Sequence, residues 1–525
     1  MKTKYNLIRS YLLVAVLLLP AVAQAQFNYM ILNGSAYITG YTGPDGSVDI
    51  PDTLSGSLVK GIGSYSFQGK SGVTSVTIPD TVTNIGNQAF MSCANLTNAT
   101  IGNGVVIIGN SAFQYCSNLA NITIPNSVTL IADFAFRGCS SLAGVTLGTN
   151  INSIGDNDFG SVFNNCTSLT SIIIPDSVTS IGCVAFQNCC NLTNINIGKG
   201  VTNIGNYAFT SCSNLSSAII PDNVTTIGTY AFSQCSSLSN LVLGASANNV
   251  GIYAFGYCTN LASITIANGV TNIGDFEFAF CSGLTNVALP NSVNRIGTNT
   301  FQNCSSLANI ALPSGITSIA AYAFQNCSNL ANISIPSGVA SISSGAFQNC
   351  SSLISVTLGN GVTSIGPNAF QNCSSLTEIT IPSTTHTIQS GVFMNCNKLQ
   401  AIYFLGHAPA GISPGTFGST ATIYYLPGAL GWAATLGGRP TVLWNPKAQT
   451  GDGSCGVQTN QFGFNITGSS NLVIVVEAAT NLLNPAWIPM GTNTLNTFIG
   501  TNGTAYFSDP QWTNYPGRFY RLRSP

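Results

Sequence analysis

The stretch Cys327-Ser-Asn-Leu330-Ala-Asn-Ile333-Ser-Ile335-Pro336-Ser-Gly-Val339-Ala-Ser-Ile342-Ser-Ser-Gly-Ala346-Phe347-Gln-Asn349 is one turn of a 23-residue period. Ile333 and Ile335 alternate with Ser334, so they point to one face of a short strand. Pro336, which cannot donate to a ladder, ends that strand. Working outward, Phe67, Phe90, Phe113 and Phe136 keep the period, one 27-residue step leads to Phe163, and the series then runs by 23 to Phe393. Cysteine holds the same register fourteen times, from Cys93 to Cys396. One unit cannot enclose its own Leu330, Ile333, Ile335, Val339, Ile342, Ala346 and Phe347. Stacked units can, because each Phe and Ile then rests on its equivalent one rung away. The expectation is a β-rich solenoid of about fifteen units with little helix.

Leu-x-x-Ile-x-Ile, as in Leu330 to Ile335, is similar to the Leu-x-x-Leu-x-Leu core of leucine-rich repeats. The period, the trailing Ile-Gly-x-x-Ala-Phe-x-x-Cys (Ile204 to Cys212) and the Pro after the strand resemble the BspA-like, or Treponema-type, subclass. The resemblance covers roughly residues 45 to 425. It implies a leucine-rich repeat solenoid in a surface or secreted protein that adheres to, or binds, host or matrix proteins. It also implies that the strands line a concave surface whose outward positions make the contacts. Here those positions form a neutral ladder of Asn, Ser and Thr, and the ligand-binding candidates are Asn98, Asn121, Asn194, Asn196, Asn286, Asn309, Asn332 and Glu378.

Only 6% of the 525 residues are charged, against roughly 25% in an ordinary soluble domain. Nucleic-acid binding, which needs clustered Lys and Arg, is therefore not expected. Residues 1–25 read as a secretory signal: Lys2, Lys4 and Arg9, then an apolar Tyr11 to Leu19, then Ala23-Gln24-Ala25 before Gln26. That apolar run is too short to span a bilayer, and nothing later in the chain is long enough. Cleavage leaves 11 basic and 15 acidic residues, a formal charge of −4. The mature chain is expected to be secreted or at the cell surface, without a transmembrane segment.

A solenoid needs caps. Residues 26–57, with Asn33-Gly34 between alternating apolar segments, read as the N-terminal cap. The solenoid proper is placed at 58–400, a C-terminal cap at 401–445 and a linker at 446–456. Residues 457–525 lack the period, and their short strands suggest a small all-β, sandwich-like module. Its aromatic end (Trp512, Tyr515, Phe519, Tyr520) is expected to pack in the module's core.

Equivalent cysteines project in parallel, whereas a disulfide needs converging Cβ atoms, so the fourteen periodic ones are assigned to a core ladder. Cys183, Cys190 and Cys455 lie off the period, and Cys183 with Cys190 is the candidate disulfide. With two histidines in the chain, no metal site or cofactor is expected. Gly411-Ile412-Ser413-Pro414-Gly415 matches a nucleophile-elbow string near His407, but Pro414 favours a loop over the strand-to-helix turn that motif requires. Gly451-Asp-Gly453-Ser-Cys-Gly456 follows no Rossmann strand. Asp156 and Asp158 border the four-residue insertion and are expected on a tolerated bulge. Glu277, in a slot that is usually Ala, is expected to tilt to the solvent edge. The leading reading is an exported, non-catalytic binding or adhesion protein for an extracellular protein or polysaccharide. The alternatives are a structural surface or matrix component acting by self-association, and a secreted hydrolase using Ser413 and His407.

Overall fold

The computed structural model describes residues 26–155, 159–418, 420–458, 461–468, 473–480, 487–494, 496–497, 503–514 and 518–523. The expected signal at 1–25, Asp156, Asp158 and Tyr515 lie outside them. The chain forms two compact units, Met1–Gly315 and Ile316–Pro525. Among the described residues the one helical element is a single 3-10 turn, Trp512–Asn514, and no helix is long and apolar enough to cross a membrane.

The first unit opens with a hairpin, Phe27–Leu32 against Ser35–Tyr41. Asn33 and Gly34 both take positive φ, 52° and 77°, as a type I′ turn requires. Each repeat then contributes two short strands. The first carries the outward Asn, Ser and Thr, as in Asn98–Thr100 and Asn121–Thr123. The second is a two-residue strand that ends at the aliphatic residue before the turn, as in Ile107–Ile108 and Leu130–Ile131. Both stack in parallel, residue on equivalent residue. The second-strand ladder runs without a gap from the hairpin to Asn249–Val250.

Beneath the strands of each unit the phenylalanines form a stacked column. Neighbouring rings lie 4.7 Å apart at Phe67–Phe90 and 5.3 Å apart at Phe113–Phe136. In the second unit Phe324–Phe347 and Phe347–Phe370 repeat the 5.3 Å spacing. The fourteen periodic cysteines are all buried beside these columns. Within each unit these thiols have a task that spacing alone did not reveal: they donate to the Phe carbonyl of the preceding coil. Cys93 reaches Phe67 O at 3.0 Å, Cys212 reaches Phe186 O at 3.2 Å, and Cys350 reaches Phe324 O at 3.2 Å. Burial pushes the Cys93, Cys139, Cys235, Cys350 and Cys396 thiols up to about 12, so at neutral pH none is a reactive thiolate.

The turns flanking each Phe use left-handed residues two before and two after it. In the second unit the later position is Asn326, Asn349, Asn372 and Asn395, all near φ +60°. Asn tolerates that region better than most residues. The amides also bond rung to rung: Asn349 Nδ2 donates to Asn326 Oδ1 at 2.7 Å, and Asn395 Nδ2 to Asn372 Oδ1 at 2.9 Å. The 27-residue unit keeps the stack intact, since Ser153–Ile154 still pairs with Ser180–Ile181 and Phe136 still stacks on Phe163 at 5.5 Å. Phe159, next to the insertion, is exposed.

Two expectations need correction. Glu277 does not reach solvent: it is fully buried. The residue before each core Phe points inward in every coil, so a carboxylate there has no outward rotamer. It folds back instead, and its Oε2 accepts the Gly274 N–H at 2.6 Å. In neighbouring coils the equivalent glycine N–H binds the preceding coil, as Gly251 does to Ile227 O and Gly228 to Ile204 O. One rung of ladder is lost accordingly: Asn249–Val250 and Asn272–Ile273 belong to different sheets. Secondly, Cys183 and Cys190 are not bonded to each other. Cys190 Sγ turns to Asn188 O at 3.4 Å, and the Cys183 backbone lies against Gly160 and Gly205.

In the second unit the parallel register continues past the last periodic cysteine, through Glu378–Ile381, Ala401–Phe404, Thr422–Tyr425 and Arg439–Leu443. Beyond these lie two small sheets, one centred on Gln461–Gly468 against Gly503–Asp509, the other on Val473–Ala479 between Ile488–Thr494 and Phe519–Arg523. Their core holds Phe464, Ile466, Ile474, Val476 and Phe507. Tyr520 packs there, stacking on Phe462 at 5.3 Å, whereas Phe519 is exposed.

Candidate functional site

The first strands decide what the solenoid offers a partner. Along each, the middle residue is buried and its neighbours point outward, giving an exposed–buried–exposed pattern at Asn98–Thr100, Asn121–Thr123, Asn194–Asn196, Asn286–Ala288, Asn309–Ala311 and Asn332–Ser334. All seven candidate asparagines therefore sit on the outward face. Glu378 is only half-buried, and burial pushes its carboxyl up while Arg523 draws it down.

Register brings some candidates together. Asn98 faces Asn121, and Asn286 faces Asn309, each on an adjacent strand. Asn194 faces Ser171, Asn332 faces Ser355, and Glu378 faces Ala401. The result is a column of amides and hydroxyls with lone pairs and N–H groups both available.

Grooves form where the first strands meet the turn that follows. One of about 790 Å³ is lined by Asn194, Asn196, Ile219 and Val242, with Lys199 and Asp222 at its border. A second, of about 450 Å³, contains Asn98 and Asn121 with Asn103 and Asn126. A third, of about 460 Å³, holds Thr146, Ser171 and Ile173. The turn acids and amides beside them hold the backbone: Asp80, Asn126, Asp176 and Asp222 each accept the N–H of the next coil's turn, at 2.6 to 3.0 Å. That explains the recurring Pro-Asp and Pro-Asn pairs, and it makes these side chains structural.

The sequence reading missed the apolar members of this face. Ile173 and Ile219 are 67% and 61% exposed in the column that elsewhere carries Thr100 and Thr123. The signal was available, since Ile stands at an outward position of a strict alternation. The middle of the face therefore combines amides with bare aliphatic surface, a composition suited to contact rather than to solvation alone.

The hydrolase reading finds no constellation. Ser413 Oγ lies 3.3 Å from Thr416 Oγ1, and His407 Nδ1 accepts the Leu430 N–H at 2.8 Å, so the two engage different partners. Among the described residues no group of three His, Cys, Asp or Glu is placed to hold a metal.

Comparison with known proteins agrees with this geometry. A family model described as a BspA type leucine-rich repeat region matches residues 60–162, 159–285 and 271–400. Among solved structures, a leucine-rich repeat protein from Bacteroides ovatus is 24% identical, with 76% of this chain and 98% of that one covered and a TM-score of 0.51. A leucine-rich cell surface protein from Faecalibacterium prausnitzii is 30% identical over 73% of this chain and 93% of that one, with a TM-score of 0.38. A leucine-rich repeat protein from Treponema pallidum is 17% identical over 67% and 88%, with a TM-score of 0.15. No curated protein sequence matches the chain. With the family model spanning well over half of its length, the chain belongs to the BspA-type leucine-rich repeat family.

Proposed function

We propose that this chain is an exported, non-catalytic binding or adhesion protein that engages an extracellular protein or polysaccharide through its first-strand face. The observation that carries the reading is the groove around Asn194 and Asn196, where amides adjoin exposed Ile219. Its similarity to a bacterial cell surface protein supports an extracellular location, as does the signal read at 1–25. Few charges line the face, so association is expected to depend little on ionic strength. Binding of residues 26–525 to a panel of polysaccharides and matrix proteins tests the proposal. An Asn194→Arg, Asn196→Arg double variant is expected to weaken binding at least tenfold. Undiminished binding by that variant would remove this groove from the interface.

One further observation favours the self-association reading. Phe27–Leu32 is an edge strand with Met30, Ile31 and Leu32 about half exposed, and an unprotected apolar edge is a template for strand pairing. Sedimentation should then shift with concentration, and Ile31→Lys should abolish the shift. A monomer at all concentrations would dispose of this second reading.

A further inference from the structure

The second unit contains a cleft unlike the first-strand grooves. Along its outward column Ser334, Thr357 and Thr380 give way to Tyr403 and Tyr424, on adjacent parallel strands with rings stacked 5.1 Å apart. Both tyrosines are buried and share one apolar cluster with Phe464, Ile466 and Val476 of the C-terminal sheets. At the edge of that cluster Phe404, Trp444 and the last strand, Phe519–Arg523, enclose about 410 Å³ together with the tyrosines.

Arg521 and Arg523 also line this space, and both are held in place. Arg521 Nε donates to Glu477 Oε2 at 2.7 Å, and Arg523 Nε to Glu477 Oε1 at 2.6 Å. The Arg521 guanidinium also lies 4.4 Å from the centre of the Trp487 ring. Their side chains nevertheless remain 48% and 40% exposed. A guanidinium has five N–H donors, so the bond to Glu477 does not exhaust Arg521. Glu378 lies close enough for Arg523 to draw its carboxyl down. Two fixed cations thus meet two carboxylates, which leaves donors and acceptors at the rim without net charge. The Tyr403 hydroxyl, in the wall, is buried with no protein partner.

We propose that this cleft binds a neutral pyranose unit of a polysaccharide. Flat apolar walls receive the C–H face of a sugar ring, and preorganised donors and acceptors at the rim receive its hydroxyls. Charge balance favours a neutral sugar over an acidic one, because the two arginines of the lining are already paired with Glu477 and Glu378 lies near Arg523. This inference rests on the binding reading above and deepens it, since it places one ligand class at a second location.

The test is titration of residues 26–525 with cellohexaose and maltohexaose, with hexagalacturonate as the acidic counterpart, followed by tryptophan fluorescence and calorimetry. Saturable binding of a neutral oligosaccharide is expected, weakened at least tenfold by Trp444→Ala. Leu405→Arg, a change at a 38% exposed residue of the cleft that leaves the core intact, is expected to do the same. The Asn194→Arg, Asn196→Arg variant should bind these oligosaccharides as the unaltered chain does. No binding of either neutral oligosaccharide, preference for hexagalacturonate, or full affinity in Leu405→Arg would overturn the proposal. Oligosaccharide binding lost only in the Asn194 and Asn196 variant would also overturn it, while leaving the first-strand reading in place.

Discussion

Glu277→Ala is expected to stabilise the first unit and to remove a pH dependence that the unaltered chain should show. Glu277 is fully buried, Oε2 has a single donor in Gly274, and Oε1 has no partner. Burial pushes its carboxyl from an ordinary value of 4.5 up to about 8, with the Gly274 N–H drawing it part of the way back. A folded-state value above the unfolded one means that the native chain binds the proton more tightly. The associated stability is therefore complete below about pH 4.5 and falls as pH rises through about 8, beyond which it is lost. Full expression of that shift corresponds to on the order of 5 kcal/mol. Alanine fills the same slot at Ala254, Ala323 and Ala346 without strain. With the carboxylate gone, the Gly274 N–H is expected to return to the preceding coil, as Gly251 does to Ile227 O at 2.7 Å. Urea unfolding between pH 5 and about pH 7.5, where unfolded thiols are still protonated, provides the measurement. The chain should weaken across that range and Glu277→Ala should not; parallel curves for the two would show that Glu277 ionises freely in the native state.

Glu277 also marks the limit of what could be read from residues alone. The coil was legible because its signals are repeated: a Phe every 23 residues, alternation in the first strand, and Pro or Gly where the strand must stop. Fifteen copies average out local ambiguity. A residue that appears once in its slot has no such support. Its direction depends on how tightly adjacent coils pack, so the pattern predicted a carboxylate at the solvent edge where the structure buries it. The cysteines show the same limit from another side. Their period placed them in the core, but a thiol donating to a carbonyl 26 residues earlier, as from Cys235 to Phe209 O at 3.3 Å, is a relation between rungs that no single repeat displays. The outward face was read correctly at Asn98, Asn121 and Asn194. Ile173 and Ile219 are single departures in a column that elsewhere carries Thr100 and Thr123, so the repeat pattern does not announce them. The Tyr403 cleft was beyond reach, since it joins strands separated by about a hundred residues with no shared period.

Phe209→Ala is expected to cost about 3–5 kcal/mol, and the more informative expectation concerns where that loss is felt. The Phe209 ring stacks on Phe186 at 5.1 Å and on Phe232 at 4.9 Å, with no exposed surface. Truncation removes contacts on both sides, and the neighbouring coils cannot collapse into the gap without breaking two strand ladders. The Phe209 carbonyl also receives the Cys235 thiol, so distortion of that backbone leaves a buried donor and acceptor unmatched. In a solenoid each coil contacts its neighbours, and stability is a sum of coil and interface contributions rather than a property of one shared core. The damage should therefore stay local. The buried cysteines supply the readout: each is shielded in the folded coil, and burial holds the Cys139, Cys235 and Cys350 thiols at about 12, so alkylation reports opening of the coil around it. Pulsed alkylation with mass spectrometry should find Cys212 and Cys235 opening at least a hundredfold more often in Phe209→Ala, with Cys93, Cys350 and Cys373 unchanged. Cys235→Ala, which removes the donor but leaves the ring, should cost less, about 1–2 kcal/mol. If Cys93 opens as readily as Cys212 in Phe209→Ala, the first unit unfolds as a single cooperative block. The ring column then binds distant coils together more strongly than nearest-neighbour stacking allows.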